Sequence, residues 1–158
     1  MAYDFNADEV FIMAEQLERN GAKFYRDSAK AVEDSASQKF LNELAEMEDD
    51  HEKTFKALRA EITEKEKEST VFDPEGEAAL YLRSLADARV FFEKEMDVSS
   101  LRGILKAAIT AEKDSIVFYL GMKEAVAASL GKGRIENIIK EEMGHIKFLS
   151  NKLISLKK

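Results

Sequence analysis

Cysteine is absent from the 158-residue sequence, so disulfide bonds, zinc–thiolate sites and iron–sulfur clusters are excluded. Proline occurs once and glycine seven times. Ala, Leu, Glu and Lys are abundant, and this composition favours an all-helical protein. No apolar run approaches the length of a membrane span, and the N-terminus carries acids in place of a basic secretory segment. We therefore expect a cytoplasmic protein with no membrane partner.

Basic residues are fewer than acidic ones, 24 against 31, so the net charge is −7. This balance argues against a general nucleic-acid binder. Apolar residues make up 45% of the chain and charged residues 35%, which is typical of solvent-facing helices around a packed interior. The length predicts a single domain over residues 1–158 with a sizeable core.

Histidine occurs only twice, as His51 and His145, and each has a glutamate three residues earlier, Glu48 and Glu142. On a helix, residues three apart lie on one face at about 5–6 Å between Cβ atoms, so both can reach one metal ion. Each pair interrupts an apolar stripe with helical spacing. The stripes are Leu41, Leu44, Glu48, His51, Phe55, Leu58, Ile62 and Ile135, Ile138, Glu142, His145, Leu149, Leu153, Leu156. Because burying a carboxylate and an imidazole is costly, a bound metal is the natural compensation.

An internal duplication adds two more carboxylates to this pattern. The two Glu-His pairs are 94 positions apart, and the same offset relates Glu18 to Glu112 and Tyr25 to Tyr119. These residues also lie within apolar seams. The seams are Phe11, Ala14, Glu18, Gly21, Tyr25, Ser28, Val32 and Leu105, Ala108, Glu112, Ser115, Tyr119, Met122, Val126. The sequence therefore predicts two copies of one helix hairpin, with the repeated polar residues buried.

The helix signals predict where these hairpins begin and end. Hairpin one, about 6–66, contains a helix from about Ala7 to Val32, after an Asn6 cap. Its second helix has Ser35 as the predicted cap, with Gln38 three residues later, and runs to about Lys65. Hairpin two, about 99–156, begins at a Ser99 or Ser100 cap and runs to about Ser129. It turns at 131–133 and continues from about Arg134 to Leu156. The crossover, about 67–98, is predicted to carry an extra short helix over about 75–92. It is interpreted as a strap on the bundle, or alternatively as a docking or dimerising face.

The combination of one Glu from each of two helices with Glu-x-x-His from each of the other two resembles the di-iron or di-manganese site of ferritin-like bundles. Over nearly its whole length the chain resembles the rubrerythrin branch of the ferritin-like superfamily. The resemblance implies two iron ions per chain, with manganese as the alternative metal. It also implies the ligand roles, in which Glu48 and Glu142 bridge the two ions, Glu18 and Glu112 are terminal ligands, and His51 and His145 each bind one ion.

Four further residues are candidates around this site. By resemblance, Tyr25 and Tyr119 hydrogen-bond the ligand carboxylates and restrain them; the alternative is that they are ordinary core tyrosines. Gly21 and Ser115 follow Glu18 and Glu112 by three residues. These small side chains are expected to leave a pocket for dioxygen or peroxide, although close helix packing is an equal explanation. No acid precedes either glutamate by four residues, so no partner for the outer histidine nitrogens is predicted there.

Two features depart from rubrerythrins proper. Ser115 stands where they carry an additional glutamate, and these 158 residues contain no cysteine for a rubredoxin-like four-cysteine domain. We therefore expect an oxidoreductase that reduces hydrogen peroxide or dioxygen with electrons from a separate donor protein, with no catalytic side chain beyond the metal site. A homodimer is expected from the resemblance alone.

Three other functions stay open at this point. They are ferroxidase activity with iron storage or delivery, a non-enzymatic metal-binding sensor bundle, and a di-manganese catalase-like activity. A plain bundle with two hydrogen-bonded core histidines and a few tolerated buried acids is the structural alternative to all of these.

Overall fold

The computed structural model describes residues 7–62, 99–125 and 131–156, and these residues form four α-helices. Helix α1 spans Ala7–Ala31, α2 Ser35–Ala60, α3 Leu101–Ala125 and α4 Lys132–Ser155. The predicted all-α, four-helix architecture is confirmed. The Asn6 cap, the extra helix of the crossover and the end of the third helix beyond residue 125 lie outside the described residues. The assignment of 1–158 to one domain stays a prediction.

The start of α2 differs by one residue from the prediction. Its N-cap is Asp34 rather than Ser35, and the Asp34 side chain accepts a hydrogen bond from the Ser37 backbone N–H at 2.8 Å. A carboxylate is an effective cap because it satisfies a free N–H of the first turn. Gln38 folds back as expected of a capping residue, but its side-chain amide donates to the Val32 carbonyl at 2.8 Å. The turn between α1 and α2 is therefore closed by side chains from both sides.

Two other predicted helix ends are wrong by a few residues. Helix α2 ends at Ala60, five residues before Lys65, in a final turn whose backbone N–H of Glu61 bonds to the Leu58 carbonyl. Helix α4 begins at Lys132, two residues before Arg134, because Gly131 is already its N-cap, with φ of +92°. The Ser100 cap is confirmed, since its hydroxyl accepts from the Gly103 N–H at 3.0 Å.

Two apolar clusters fill the ends of the bundle. The first combines the start of α1, the end of α2, the end of α3 and the start of α4, and the second combines the opposite ends. The 94-residue offset maps members of one cluster onto the other. Pairs related in this way are Val10 and Ile104, Phe11 and Leu105, Tyr119 and Tyr25, Ile135 and Leu41, Ile138 and Leu44, and Phe55 and Leu149. The duplication is thus expressed as an approximate two-fold axis, and the middle of the bundle lies between the two clusters.

The predicted stripes are buried over most of their length. The exceptions lie at the end of α4, where Leu153 is half-buried and Leu156 is 39% exposed. Leu156 follows the last helical residue, so the helical spacing no longer directs its side chain into the core. Among the described residues, no helix is long and apolar enough to cross a membrane.

Candidate metal centre

Six ionisable side chains meet between the two apolar clusters. Helix α1 supplies Glu18 and α3 supplies Glu112, while α2 and α4 each supply a glutamate and a histidine. The set is Glu18, Glu48, His51, Glu112, Glu142 and His145, and no member is more than 4% exposed. All six predicted ligand positions therefore lie in one buried cluster. Their role as metal ligands stays a prediction.

The cluster divides into two overlapping groups that share Glu48 and Glu142. The first group adds Glu18 and His51, and the second adds Glu112 and His145. Within each group, one oxygen or ring-nitrogen atom per residue lies within 4.8 Å of all the others. The cluster therefore offers two neighbouring candidate metal positions of four residues each, and the same two carboxylates belong to both.

The shared carboxylates divide their oxygens between the histidines. Glu142 Oε1 lies 3.0 Å from His51 Nδ1, and Glu142 Oε2 lies 3.1 Å from His145 Nδ1. Glu48 does the same at longer range, with Oε1 3.7 Å from His145 Nδ1 and Oε2 3.9 Å from His51 Nδ1. Each of the other two glutamates contacts one histidine only. Glu18 Oε2 is 3.5 Å from His51 Nδ1, and Glu112 Oε1 is 3.6 Å from His145 Nδ1.

The two tyrosines connect the halves of the bundle. Tyr119 donates its hydroxyl to Glu18 Oε1 at 2.5 Å, and Tyr25 donates to Glu112 Oε1 at 2.6 Å. Each tyrosine thus holds the glutamate of the other helix hairpin rather than the one on its own helix. Both tyrosines are fully buried. These contacts fix Oε1 of each glutamate. Glu18 then faces His51 through its other oxygen, Oε2, whereas Glu112 faces both Tyr25 and His145 through the same Oε1.

The donor atoms fit a pair of divalent metal ions. Glu18 Oε2 and Glu48 Oε1 are buried without a hydrogen-bond partner, which is costly unless a cation or proton satisfies them. Four carboxylates carry a charge of −4 when ionised, equal and opposite to two divalent ions. Carboxylate oxygen with imidazole nitrogen, and no sulfur, is a donor set that suits iron or manganese.

Without a metal, protons compensate the crowded charge. Burial raises the pKa of Glu18 and Glu48, and it raises that of Glu112 to about 8 with help from the neighbouring charge of Glu142. Burial also acts to raise the pKa of Glu142, but hydrogen bonds from Glu112 and the two histidines outweigh it and the pKa falls. Burial opposes the charged form of His145, yet its carboxylate neighbours raise its pKa to about 12. Metal binding must therefore displace protons from this cluster.

Glu141 makes a contact with His51 that was not predicted from the sequence. Its Oε2 lies 2.5 Å from His51 Nε2, the ring nitrogen that faces away from the cluster. The sequence has alanine, and no acid, four residues before Glu18 and Glu112, whereas the observed carboxylate comes from α4, directly before Glu142. Its side chain is 62% exposed, so no apolar stripe marks it. The antiparallel pairing of α2 with α4 was the only signal that could have found it.

A cavity of about 350 Å³ opens over the outer edges of the two histidines, between α2 and α4. It is lined by Met47, Asp50, His51, Glu141, Gly144, His145 and Phe148. Gly21 and Ser115 are both buried and do not line this cavity. The predicted substrate pocket beside them stays a prediction.

The architecture is that of a ferritin-like four-helix bundle, and the buried carboxylate–histidine set lies in its middle. The chain is similar to a protein of known crystal structure from Thermotoga maritima, described as a ferritin-like diiron-carboxylate protein. The two share 22% sequence identity over 97% of each chain, with a TM-score of 0.70. At this identity the likeness establishes the fold. No protein-family profile and no curated protein matches the sequence.

Proposed function

We propose that this protein is a di-iron carboxylate oxidoreductase, similar to rubrerythrins, that reduces hydrogen peroxide or dioxygen with electrons from a separate donor protein. The observation that carries the proposal is the sharing of Glu48 and Glu142 between two buried, overlapping groups of donor atoms. A single-ion site has no need for two carboxylates that each face two histidines. The Thermotoga maritima protein of the same fold is itself described as a diiron-carboxylate protein, which supports iron as the metal.

A bound iron pair would supply two electrons, one from each ferrous ion, to cleave an O–O bond. For hydrogen peroxide, the two electrons and two protons yield two water molecules. The separate donor protein would supply the two electrons that each turnover consumes. The chain contributes the geometry, the charge balance and the exclusion of bulk water.

The six buried side chains and the two tyrosines would have different roles in holding the metal ions. Glu48 and Glu142 would hold the ions next to each other, and His51 and His145 would give each ion one nitrogen. The hydroxyl groups of the two tyrosines restrain Glu18 and Glu112, and a fixed carboxylate loses less conformational freedom when it binds a metal. The two apolar clusters shield the centre at both ends of the bundle.

Two routes could bring the oxidant to the metals. The cavity over the histidines is open to solvent and is large enough for peroxide. Gly21 and Ser115 lie on the inner faces of α1 and α3 and are the second candidate. If the oxidant binds beside Gly21, a Gly21→Leu variant that keeps both metals should react more slowly with peroxide. Full peroxide reactivity in that variant would exclude this route.

The proposal is tested by titrating anaerobic, ferrous-loaded protein with hydrogen peroxide. We expect one peroxide consumed for every two ferrous ions, and repeated turnover when a chemical reductant is supplied. Glu142→Gln should abolish this reaction because it removes a shared carboxylate. Glu136→Gln is the matched control, since it makes the same change at an exposed position of the same helix. Protein that retains two irons but leaves peroxide unconsumed would contradict the enzymatic proposal.

A further inference from the structure

The two halves of the cluster are related by the 94-residue offset, but their surroundings are not. His51 Nε2 contacts the carboxylate of Glu141 at 2.5 Å, from the side of the cavity between α2 and α4. The position related to Glu141 is Met47, which lines the same cavity next to His145. A thioether cannot replace a carboxylate as a strong hydrogen-bond acceptor.

His145 therefore differs from His51 at its outer nitrogen. Within the described residues, every carboxylate contact of His145 is made by Nδ1, which faces the cluster. His51 makes carboxylate contacts from both ring nitrogens. The asymmetry in these contacts comes from one pair of positions related by the offset, Met47 and Glu141.

We propose that Glu141 is a positioning residue for His51, and that it makes the half-site of Glu18 and His51 bind a divalent metal more tightly than the half-site of Glu112 and His145. This inference rests on the proposed two-metal site, and it adds the order in which the two half-sites bind metal. Glu141 itself would not be a ligand, since it lies at the ring nitrogen of His51 that faces away from the cluster.

The physical reason lies in the two nitrogens of the ring. When Nε2–H donates to Glu141, the proton is held on the outer nitrogen and the Nδ1 lone pair is left facing the cluster. The negative partner also raises the basicity of Nδ1 and fixes the plane of the ring. Such outer partners are worth about 10–100-fold in metal affinity. Among the described residues no carboxylate contacts the outer nitrogen of His145, so both ring tautomers and several ring orientations compete with metal binding.

Because the chain contains only two histidines, the two half-sites can be observed separately. Protein labelled with ¹⁵N only in histidine gives two sets of ring signals, which a His145→Gln variant assigns. We would titrate this protein with Zn²⁺, which binds carboxylate and imidazole but undergoes no redox chemistry. Each ring nitrogen then reports the occupancy of its own half-site, without any measurement of activity.

In the wild-type protein we expect the His51 signals to shift at lower Zn²⁺ concentration than those of His145. Glu141→Ala should raise the dissociation constant at His51 by about 10–100-fold and leave that at His145 unchanged. Glu141→Gln should have a smaller effect, because an amide oxygen still accepts the N–H bond. Met47→Glu should tighten binding at His145. The Glu141 side chain is mostly exposed, so these changes should not affect folding.

An unchanged dissociation constant at His51 in Glu141→Ala would overturn this inference and leave the two-metal site intact. So would a wild-type protein in which His145 fills first. If neither histidine responds to Zn²⁺, the proposed function fails as well, and the two failures are thereby distinguished.

Discussion

The hydrogen bond between Tyr119 and Glu18 is the contact whose removal tests the site most selectively. Tyr119→Phe deletes one oxygen and keeps the ring that packs 5.2 Å, centroid to centroid, from Phe55. Glu18 is 1% exposed, and its Oε2 already lacks a partner. Without the tyrosine hydroxyl, both oxygens of a buried carboxyl group would have no donor.

Leaving a buried polar group unsatisfied costs about 1–3 kcal/mol. For a chain of this size, each kcal/mol lowers the melting temperature by about 2–4 °C. We therefore expect metal-free Tyr119→Phe to melt about 4–8 °C below wild type, for a loss near 2 kcal/mol. Metal affinity should fall by about 10–100-fold at the half-site of Glu18 and His51 only.

The assay is thermal unfolding followed by circular dichroism, combined with the histidine-resolved metal titration. Tyr25→Phe is the matched variant, since its hydroxyl holds Glu112 at 2.6 Å and should affect the other half-site. A double-mutant cycle with Glu18→Gln isolates the pair, for which we expect a coupling energy between about 0.5 and 3 kcal/mol. A melting point unchanged to within about 1 °C and unaltered metal binding would refute the reasoning.

Three further predictions concern charge, backbone and packing. The pKa of Glu112 is raised to about 8 by burial. That of His51 is raised to about 9 because its carboxylate contacts outweigh burial. The free energy of unfolding of the metal-free protein should therefore fall as the pH rises from about 4.5 to 9, because the folded state keeps protons that the unfolded state releases. Urea unfolding at several pH values measures this free energy, and an increase with pH would contradict the prediction. Gly131→Ala should lower the free energy of unfolding by about 1–3 kcal/mol, because φ is +92° and the added Cβ would lie 2.6 Å from Leu58 Cδ2. An unchanged midpoint of urea unfolding would argue against this strain. Phe55 is fully buried in the first cluster, so Phe55→Ala should lower the free energy of unfolding by about 3–5 kcal/mol. A loss below about 1 kcal/mol would show that the cluster collapses around the gap.

Much of the fold could be predicted from the sequence because the polar residues interrupt regular stripes. Glu48 and His51 stand where a helix otherwise places Leu, Ile or Phe, and the offset of 94 residues repeats this interruption. A stripe specifies which side chains share a face, and two copies of a hairpin specify which faces meet. This is why the residues of all four helices could be assigned to one centre before their contacts were known.

The contacts that were not predicted depend on packing between helices. Periodicity places each tyrosine in the same seam as a glutamate, but it does not specify which glutamate the hydroxyl contacts, and the crossed pairing of Tyr25 with Glu112 was not predicted. Glu141 lies on an exposed side of α4 and reaches His51 only because α2 and α4 are adjacent. The cap at Asp34 was missed by one residue because Asp and Ser are both good caps, and the backbone angles decide between them. The crossover at 67–98 lies outside the described residues, and the predictions made for it are unchanged.

Anomalous X-ray scattering from crystals grown with ferrous iron tests most directly whether the six buried side chains hold two metal ions. We expect two iron peaks per chain, one beside Glu18 and His51 and the other beside Glu112 and His145, with Glu48 and Glu142 adjacent to both. A single peak, iron only at the protein surface, or a folded and iron-free centre in the presence of excess iron would contradict it.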